Sequence, residues 1–99
     1  MEKDLEYIEL FELYKDLLTD KQRELFASHY LYDLSLSEIA DEVGGSRQSV
    51  YDAVKKVKKK LDEYEKALSI RAKNKALLEI ANGTLEEKTR KALMEILGR

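Results

Sequence analysis

Apolar residues recur at three- and four-residue intervals from one end of this chain to the other, so every element reads as α-helix. The first, over 3–17, puts Leu5, Ile8, Leu10, Phe11, Leu13, Tyr14 and Leu17 on a broad apolar face. Thr19 then caps a second helix, with Gln22 completing a capping box and Leu25, Phe26 and Tyr30 turned inward. Leu31–Leu34 lead to two further helices near 36–43 and 47–67. In the longer one, Val50, Val54, Val57, Leu61, Tyr64 and Leu68 follow at steps of 4, 3, 4, 3 and 4, an uninterrupted heptad seam. The first part of the seam packs within its own domain. Past Val57 it projects beyond a compact trihelical unit, and two surfaces are candidates to cover it: the same seam of a second subunit, or the C-terminal hairpin of this chain. That hairpin spans 69–97, with Ser69 capping a helix that carries Ile70, Leu77, Ile80 and Ala81 on one face. Asn82-Gly83 ends this helix, Thr84 caps the last one with Glu87 at the capping-box position, and Leu85, Leu93, Ile96 and Leu97 face inward. The expected fold is all-α: a helix-turn-helix domain over 1–68 that includes the long helix 47–67, then a helical hairpin over 69–99 packing on the same domain or on a dimer partner.

The helix-turn-helix expectation rests on spacing. With Leu36 as the first position of a two-helix unit, Ile39, Ala40, Val43, Gly44 and Val50 fall where such a unit needs an apolar contact, a small residue, an apolar contact, a turn glycine and an apolar contact. Two helices crossing steeply over a short turn need a small side chain at the crossing and left-handed backbone at the turn. Ser35 and Glu38 form a capping box for the first helix, and Ser46 is placed to cap the second, which would enter a major groove. A corner of this kind also serves purely structural ends in many proteins.

Composition narrows the class. Ninety-nine residues with no Pro, four Gly and 38% charged residues describe one small helical protein. The absence of Cys removes thiolate nucleophiles and thiolate metal sites and fits a reducing compartment. No apolar run approaches spanning length and the N-terminal stretch is acidic, so neither a membrane segment nor a signal peptide is expected, and the cytoplasm is the expected location. The net charge of −2 does not favour nucleic acid, but its distribution does. Residues 25–46 hold four acidic groups and no Lys or Arg, whereas residues 47–60 hold six basic groups against Asp52 alone. A positive stripe on the second helix of the unit is the usual footprint of phosphate contact.

With these residues in hand, the chain resembles the YlxM family of helix-turn-helix proteins, associated with the signal recognition particle. The resemblance runs through most of the chain. It is densest at Leu17–Arg23 (LLTDKQR), Tyr30–Ala40 (YLYDLSLSEIA), Ser46–Asp52 (SRQSVYD) and Leu61–Lys66 (LDEYEK). The helix-turn-helix half is also similar to the promoter-reading region four of bacterial sigma factors. The family is usually encoded beside the particle's GTPase, which implies action in that pathway. Two features depart from the family pattern. Gly44-Gly45 stands where an apolar residue usually precedes the Ser-Arg-Gln run, which would loosen the turn or change the helix angle, and the Lys55–Lys60 run is more basic than expected.

Setting Val50, Val54, Val57 and Leu61 inward, the advance of roughly 100° per residue fixes what faces out. Gln48, Asp52, Lys55 and Lys59 lie near the centre of the exposed face with Tyr51 and Lys56 flanking, and Ser46, Arg47 and Ser49 sit at the helix N-terminus, where backbone N–H groups favour phosphate. Gln48 suits an adenine edge, Arg47 a guanine or a phosphate, and the lysines phosphates alone. The lysine run suits a solvated face beside a dimer seam equally well. Asp52 would repel phosphate unless it accepts from a cytosine or is held by Lys55 or Lys56, and the intrahelical pairing is the expected one. His29 is expected to be a partly buried structural residue. No catalytic or metal-ligand spacing stands out, and no cofactor is implied.

These readings converge on a non-enzymatic nucleic-acid-binding regulator. Its partners would be DNA or RNA, components of the signal recognition particle by resemblance, and a second copy of itself through Leu61, Tyr64 and Leu68. The contrasting expectation is an accessory protein that binds the particle's GTPase or RNA through the hairpin and the acidic face, without reading duplex DNA.

Overall fold

The computed structural model describes residues 2–83 and 86–98, with side chains from Asp4 onward. Its elements are α1 (Glu2–Tyr14), a 3-10 turn (Lys15–Leu17), α2 (Asp20–Tyr30), α3 (Leu36–Val43), α4 (Arg47–Leu68), α5 (Ile70–Gly83) and α6 (Glu87–Leu97). The chain divides into two compact units, Met1–Ala67 and Leu68–Arg99.

Local chemistry sets the helix starts. Thr19 Oγ1 accepts the Gln22 N–H at 3.2 Å while Gln22 Oε1 accepts the Thr19 N–H at 3.0 Å. Ser35 and Glu38 make the same reciprocal pair at 3.0 and 3.1 Å. The backbone and side-chain hydrogen bonds from Ser35 also hold the Glu38 carboxyl below its usual range. Each pair satisfies two of the N–H groups a helix start leaves without a partner.

The first helix is shorter than its apolar run implies. α-Helical bonding stops at Tyr14 and the chain tightens into the 3-10 turn. Arg23 pins that turn, its Nε and Nη2 donating to the carbonyls of Lys15 and Leu18, each at 3.1 Å. The tighter winding brings Leu18 rather than Leu17 into the core. Leu5, Leu13 and Leu17, expected inward, are exposed, because a single stripe at 3.6-residue spacing accommodates Leu10, Phe11 and Tyr14 but not their neighbours.

Two clusters make the core of the first unit. In one, Ile39 and Ala40 of α3 meet Val50 and Val54 of α4, flanked by Leu25, Tyr30, Leu34 and Leu36. In the other, Leu10, Phe11, Tyr14, Leu18 and Phe26 close over Val57 and Leu61, with Tyr7, Ala27, Tyr30 and Tyr64 at the margin. Phe11 stacks on Phe26 at 4.8 Å between centroids, and Phe26 on Tyr30 at 4.4 Å.

Part of the distal seam of α4 is covered within the first unit itself. Leu61 is fully buried by α1 and α2 of its own chain. Tyr64 is half-buried, its ring 5.9 Å from that of Tyr14 and its hydroxyl donating to the Leu17 carbonyl at 3.3 Å. Tyr14 in turn donates to Glu65 Oε1 at 2.6 Å. Of the three expected dimer-seam residues, Leu61 is closed off within the first unit, Tyr64 is partly so, and Leu68 is 44% exposed. Leu10, Phe11 and Tyr14 of α1 lie against α4 and carry the core past Val57 to Leu61.

In the second unit α5 and α6 pack on one another. Ser69 takes left-handed backbone, φ 54°, instead of the extended conformation of a capping serine, and its carbonyl accepts the Lys73 N–H at 2.9 Å. Thr84 and Leu85, expected as a cap and an inward residue, lie outside the described residues; α6 opens at Glu87 after Glu86 and stops at Gly98, φ 74°. Ala81 is buried, and Leu77, Leu93 and Leu97 are half-buried. Ile70, Ile80 and Ile96, expected inward, are exposed. Among the described residues no helix is long and apolar enough to cross a membrane.

The two ends of the seam should respond differently to truncation. Leu61→Ala should lower stability by about 2–5 kcal/mol, a fall in Tm of about 8 °C or more for a unit of this size, at every protein concentration. Leu68→Ala should stay within about 1 kcal/mol of wild type. Thermal melts across a hundredfold range of concentration check both. A Leu61 effect that vanished on dilution would return that residue to an intersubunit interface.

Candidate nucleic-acid interface

The junction of α3 and α4 decides how the second helix is presented. Gly44 sits at φ 78° and closes α3, its N–H and that of Gly45 both donating to the Ala40 carbonyl, at 2.9 and 3.0 Å. A Cβ on Gly44 would meet open space, so left-handed backbone rather than room selects glycine there. Gly45 is selected by room. A Cβ on it would lie 3.0 Å from Ser49 Oγ, and that oxygen is occupied. Ser49 Oγ accepts the Ser46 N–H at 3.1 Å and donates to the Ser46 carbonyl at 2.8 Å, while Ser46 Oγ accepts the Ser49 N–H at 3.0 Å. Gly45 thus makes space for a serine–serine capping box at the start of α4. Val43 does not make the interhelical contact expected of it: it is 64% exposed, because α3 ends there and no side chain of the two glycines follows to cover it.

With Val50, Val54, Val57 and Leu61 buried, the opposite face of α4 carries Gln48, Tyr51, Asp52, Lys55, Lys56 and Lys59, all exposed, and Ser46, Arg47 and Ser49 stand exposed at its N-terminus. Gln48, Tyr51, Lys55, Lys56 and Lys59 are therefore brought together on one ridge, with Ser46, Arg47 and Ser49 at its head. The hydroxyls of Ser46 and Ser49 serve the cap. Asp52 is held otherwise than expected: its Oδ1 accepts from Gln48 Nε2 at 3.0 Å, one turn upstream, and not from Lys55 or Lys56. Among the described residues Arg47, Lys55, Lys56 and Lys59 join no ion pair. Their charge faces solvent, Arg47 at the positive end of the helix dipole and the lysines two turns or more beyond it.

One flank of the ridge was not anticipated. Lys58 turns away from the other lysines and lies over two rings, its Nζ 5.0 Å from the Tyr7 centroid and 5.2 Å from that of Tyr30. Tyr7 Oη donates to Asp62 Oδ2 at 2.9 Å. Burial first, then the hydrogen bond and charge of Asp62, push the Tyr7 hydroxyl up to about 12. His29 is half-buried, edge-on to Tyr30, with Nδ1 2.8 Å from the Leu34 carbonyl, which makes Nδ1 the donor and matches the structural role expected for it. The signal for Lys58 was present in the spacing, since it follows Val54 by four residues and so borders the buried stripe. Its partners Tyr7 and Tyr30 lie on other helices and gave none.

Comparison with known proteins agrees with this geometry. Residues 1–97 match the family described as "Putative helix-turn-helix protein, YlxM / p13 like". The chain is 41% identical over 105 residues to the UPF0122 protein YlxM of Bacillus subtilis, covering 98% of this chain and 94% of that protein. It is 42% identical over 97 residues to a UPF0122 protein of Halalkalibacterium halodurans, covering 98% and 89%. To a UPF0122 protein of Mycoplasma capricolum it is 48% identical over 82 residues, covering 83% and 73%.

Gly45→Ala should displace Ser49 Oγ and lower stability by about 1 kcal/mol, in the range of a lost helix cap. Ser49→Ala should cost a similar amount. If Gly45 acts through that hydroxyl, urea denaturation of the double variant will show markedly less than the sum of the two. Full additivity would assign the Gly45 effect to the backbone instead.

Proposed function

The chain belongs to the YlxM / p13-like helix-turn-helix family, and on that premise we propose that it is a non-enzymatic regulatory protein of the cytoplasm that binds duplex DNA with the first turns of α4. The observation that carries this reading is the ridge itself: Lys55, Lys56 and Lys59 on the face of α4 opposite its buried stripe, with Arg47 exposed at the helix start, none of the four in an ion pair among the described residues. Arg47 at the helix start is the residue for a base edge or the nearest phosphate, and the lysines two to three turns on are for phosphates. Gln48, tethered to Asp52 through its amide nitrogen, keeps its carbonyl oxygen for a base donor. That tether also orients the carboxylate along the helix, where it would otherwise oppose the phosphates across the ridge.

A second reading, which the family's helix-turn-helix description leaves open, ties the chain to the signal recognition particle. In that second reading it serves the particle's GTPase or RNA and reads no duplex. Phosphate neutralisation separates the two, since duplex affinity through the ridge must fall steeply with salt. Arg47→Ala and Gln48→Ala should each weaken binding to a preferred duplex by about 1–3 kcal/mol, with helicity and Tm unchanged. Lys55→Glu with Lys59→Glu should weaken binding across all sequences and flatten the salt dependence by about one unit of slope per lysine or more. Unaltered duplex binding in the Arg47 and Gln48 variants would remove α4 as the reading helix.

A two-fold homodimer completes the proposal. It would set two copies of α4 at a fixed spacing, as two half-sites require. Leu68, Ile80 and Ile96 are the exposed apolar residues that favour a second copy now that α1 holds Leu61 and Tyr64. Sedimentation equilibrium at tens of micromolar, where an association of about 8 kcal/mol becomes visible, should find a dimer that Leu68→Asp with Ile96→Asp dissociates. A monomeric wild type would remove the dimer from the proposal.

A further inference from the structure

Beside the ridge, on the flank of α4 that faces α1 and the end of α2, lies a groove of about 790 Å³. That volume is within the roughly 300–1,000 Å³ typical of sites for small organic groups. Tyr51, Lys55, Lys58 and Lys59 form one wall, and Tyr7 and His29 stand across from them. In all, four lysines and two aspartates line it. Asp52 accepts from Gln48 and Asp62 from Tyr7, neutral donors that leave both carboxylates charged, and the four ammonium groups outnumber them, so the net charge lining the groove is positive.

The aromatic groups divide in the same way. Lys58 already covers the rings of Tyr7 and Tyr30. Tyr51, 47% exposed, has no ring or cation against it among the described residues. Lys55 and Lys59 follow Tyr51 at successive turns, about 6 Å apart along the axis. A free aromatic face at the head of a short cationic track is the combination that single nucleic-acid strands require, stacking for a base and charge for its phosphates. A paired base has no face to offer it, and a recess beside a ridge does not follow the surface of a continuous duplex. The groove opens next to Gln48 and Asp52, so a strand lying on the start of α4 runs directly into it.

We infer that this groove holds one unpaired nucleotide, its base on Tyr51 and its flanking phosphates on Lys55 and Lys59. The inference rests on the nucleic-acid reading above and adds the class of target: a helix interrupted by a bulged or looped-out nucleotide.

The test uses the full chain and two hairpin probes, identical except that one carries a single unpaired 2-aminopurine. Both are prepared as deoxyribo and as ribo strands. Wild type should bind the bulged probe about 5- to 150-fold more tightly than the paired one and quench the 2-aminopurine fluorescence, in at least one of the two backbones, and the backbone with the larger preference identifies the strand. Tyr51→Ala should abolish both the preference and the quenching, while Tyr51→Phe keeps both. Because the readout is a ratio between probes, any contribution of Tyr51 to paired regions cancels. Equal affinity for the two probes with no quenching would overturn the groove assignment and leave the duplex reading standing. Failure to bind either probe at low salt would overturn both. Displacement of the bulged probe by poly-glutamate of equal charge would reduce the groove to a general polyanion site and so also overturn the assignment.

Discussion

The stripe Val50–Val54–Val57–Leu61 along α4 is the constraint on which the first unit depends. Its upper half is the floor of the helix-turn-helix core and its lower half the floor of the cluster built by α1 and α2. Each of these side chains withdraws enough apolar surface to contribute roughly 1.5–3 kcal/mol. Because one straight helix carries both halves, α3 and α1 are indexed to the same axis. The direction in which the opposite face points follows from that burial.

The opposite face is organised by what the core does not use. Three tyrosines, Tyr14 in the core and Tyr7 and Tyr64 at its margin, turn their hydroxyls to acceptors, donating to Glu65, Asp62 and the Leu17 carbonyl respectively. Two of those acceptors are carboxylates on the lower part of α4, so acidic charge there is directed toward α1. The cations of residues 47–59 are left outward, except Lys58, which is drawn over Tyr7 and Tyr30. Segregation of charge along the chain thus becomes segregation of charge around one helix. Belonging to a helix-turn-helix family fits a ridge of this composition.

Features encoded within one or two helical turns were legible from the residues alone. The boxes Thr19–Gln22 and Ser35–Glu38 need only a three-residue spacing, and Gly44 needs only its own backbone. The exposed ridge followed from assigning four inward residues and the helical repeat. Errors arose where a side chain's partner is remote or where local geometry departs from a regular helix. Leu13 and Leu17 look as apolar as Leu10 and Leu18, and only the 3-10 turn held by Arg23 separates them. Asp52 had two lysines within reach and chose Gln48, whose shorter neutral amide spans one turn without drawing an ammonium group from water.

By itself the sequence determined the helical class, the position of the helix-turn-helix, the caps at its helices and the concentration of positive charge on α4. Each of these depends on short stretches of contiguous chain, across which local geometry is fixed. Tertiary structure decided the fate of the distal seam, because whether Leu61 faces solvent, a second copy or α1 depends on where a helix fifty residues earlier returns to pack. It likewise decided that Gly45 makes room for a cap, that Lys58 leaves the cationic ridge, and that a groove with one free tyrosine opens beside it. Those outcomes are set by the distance between groups on different elements, and the order of residues along one element carries no record of that distance.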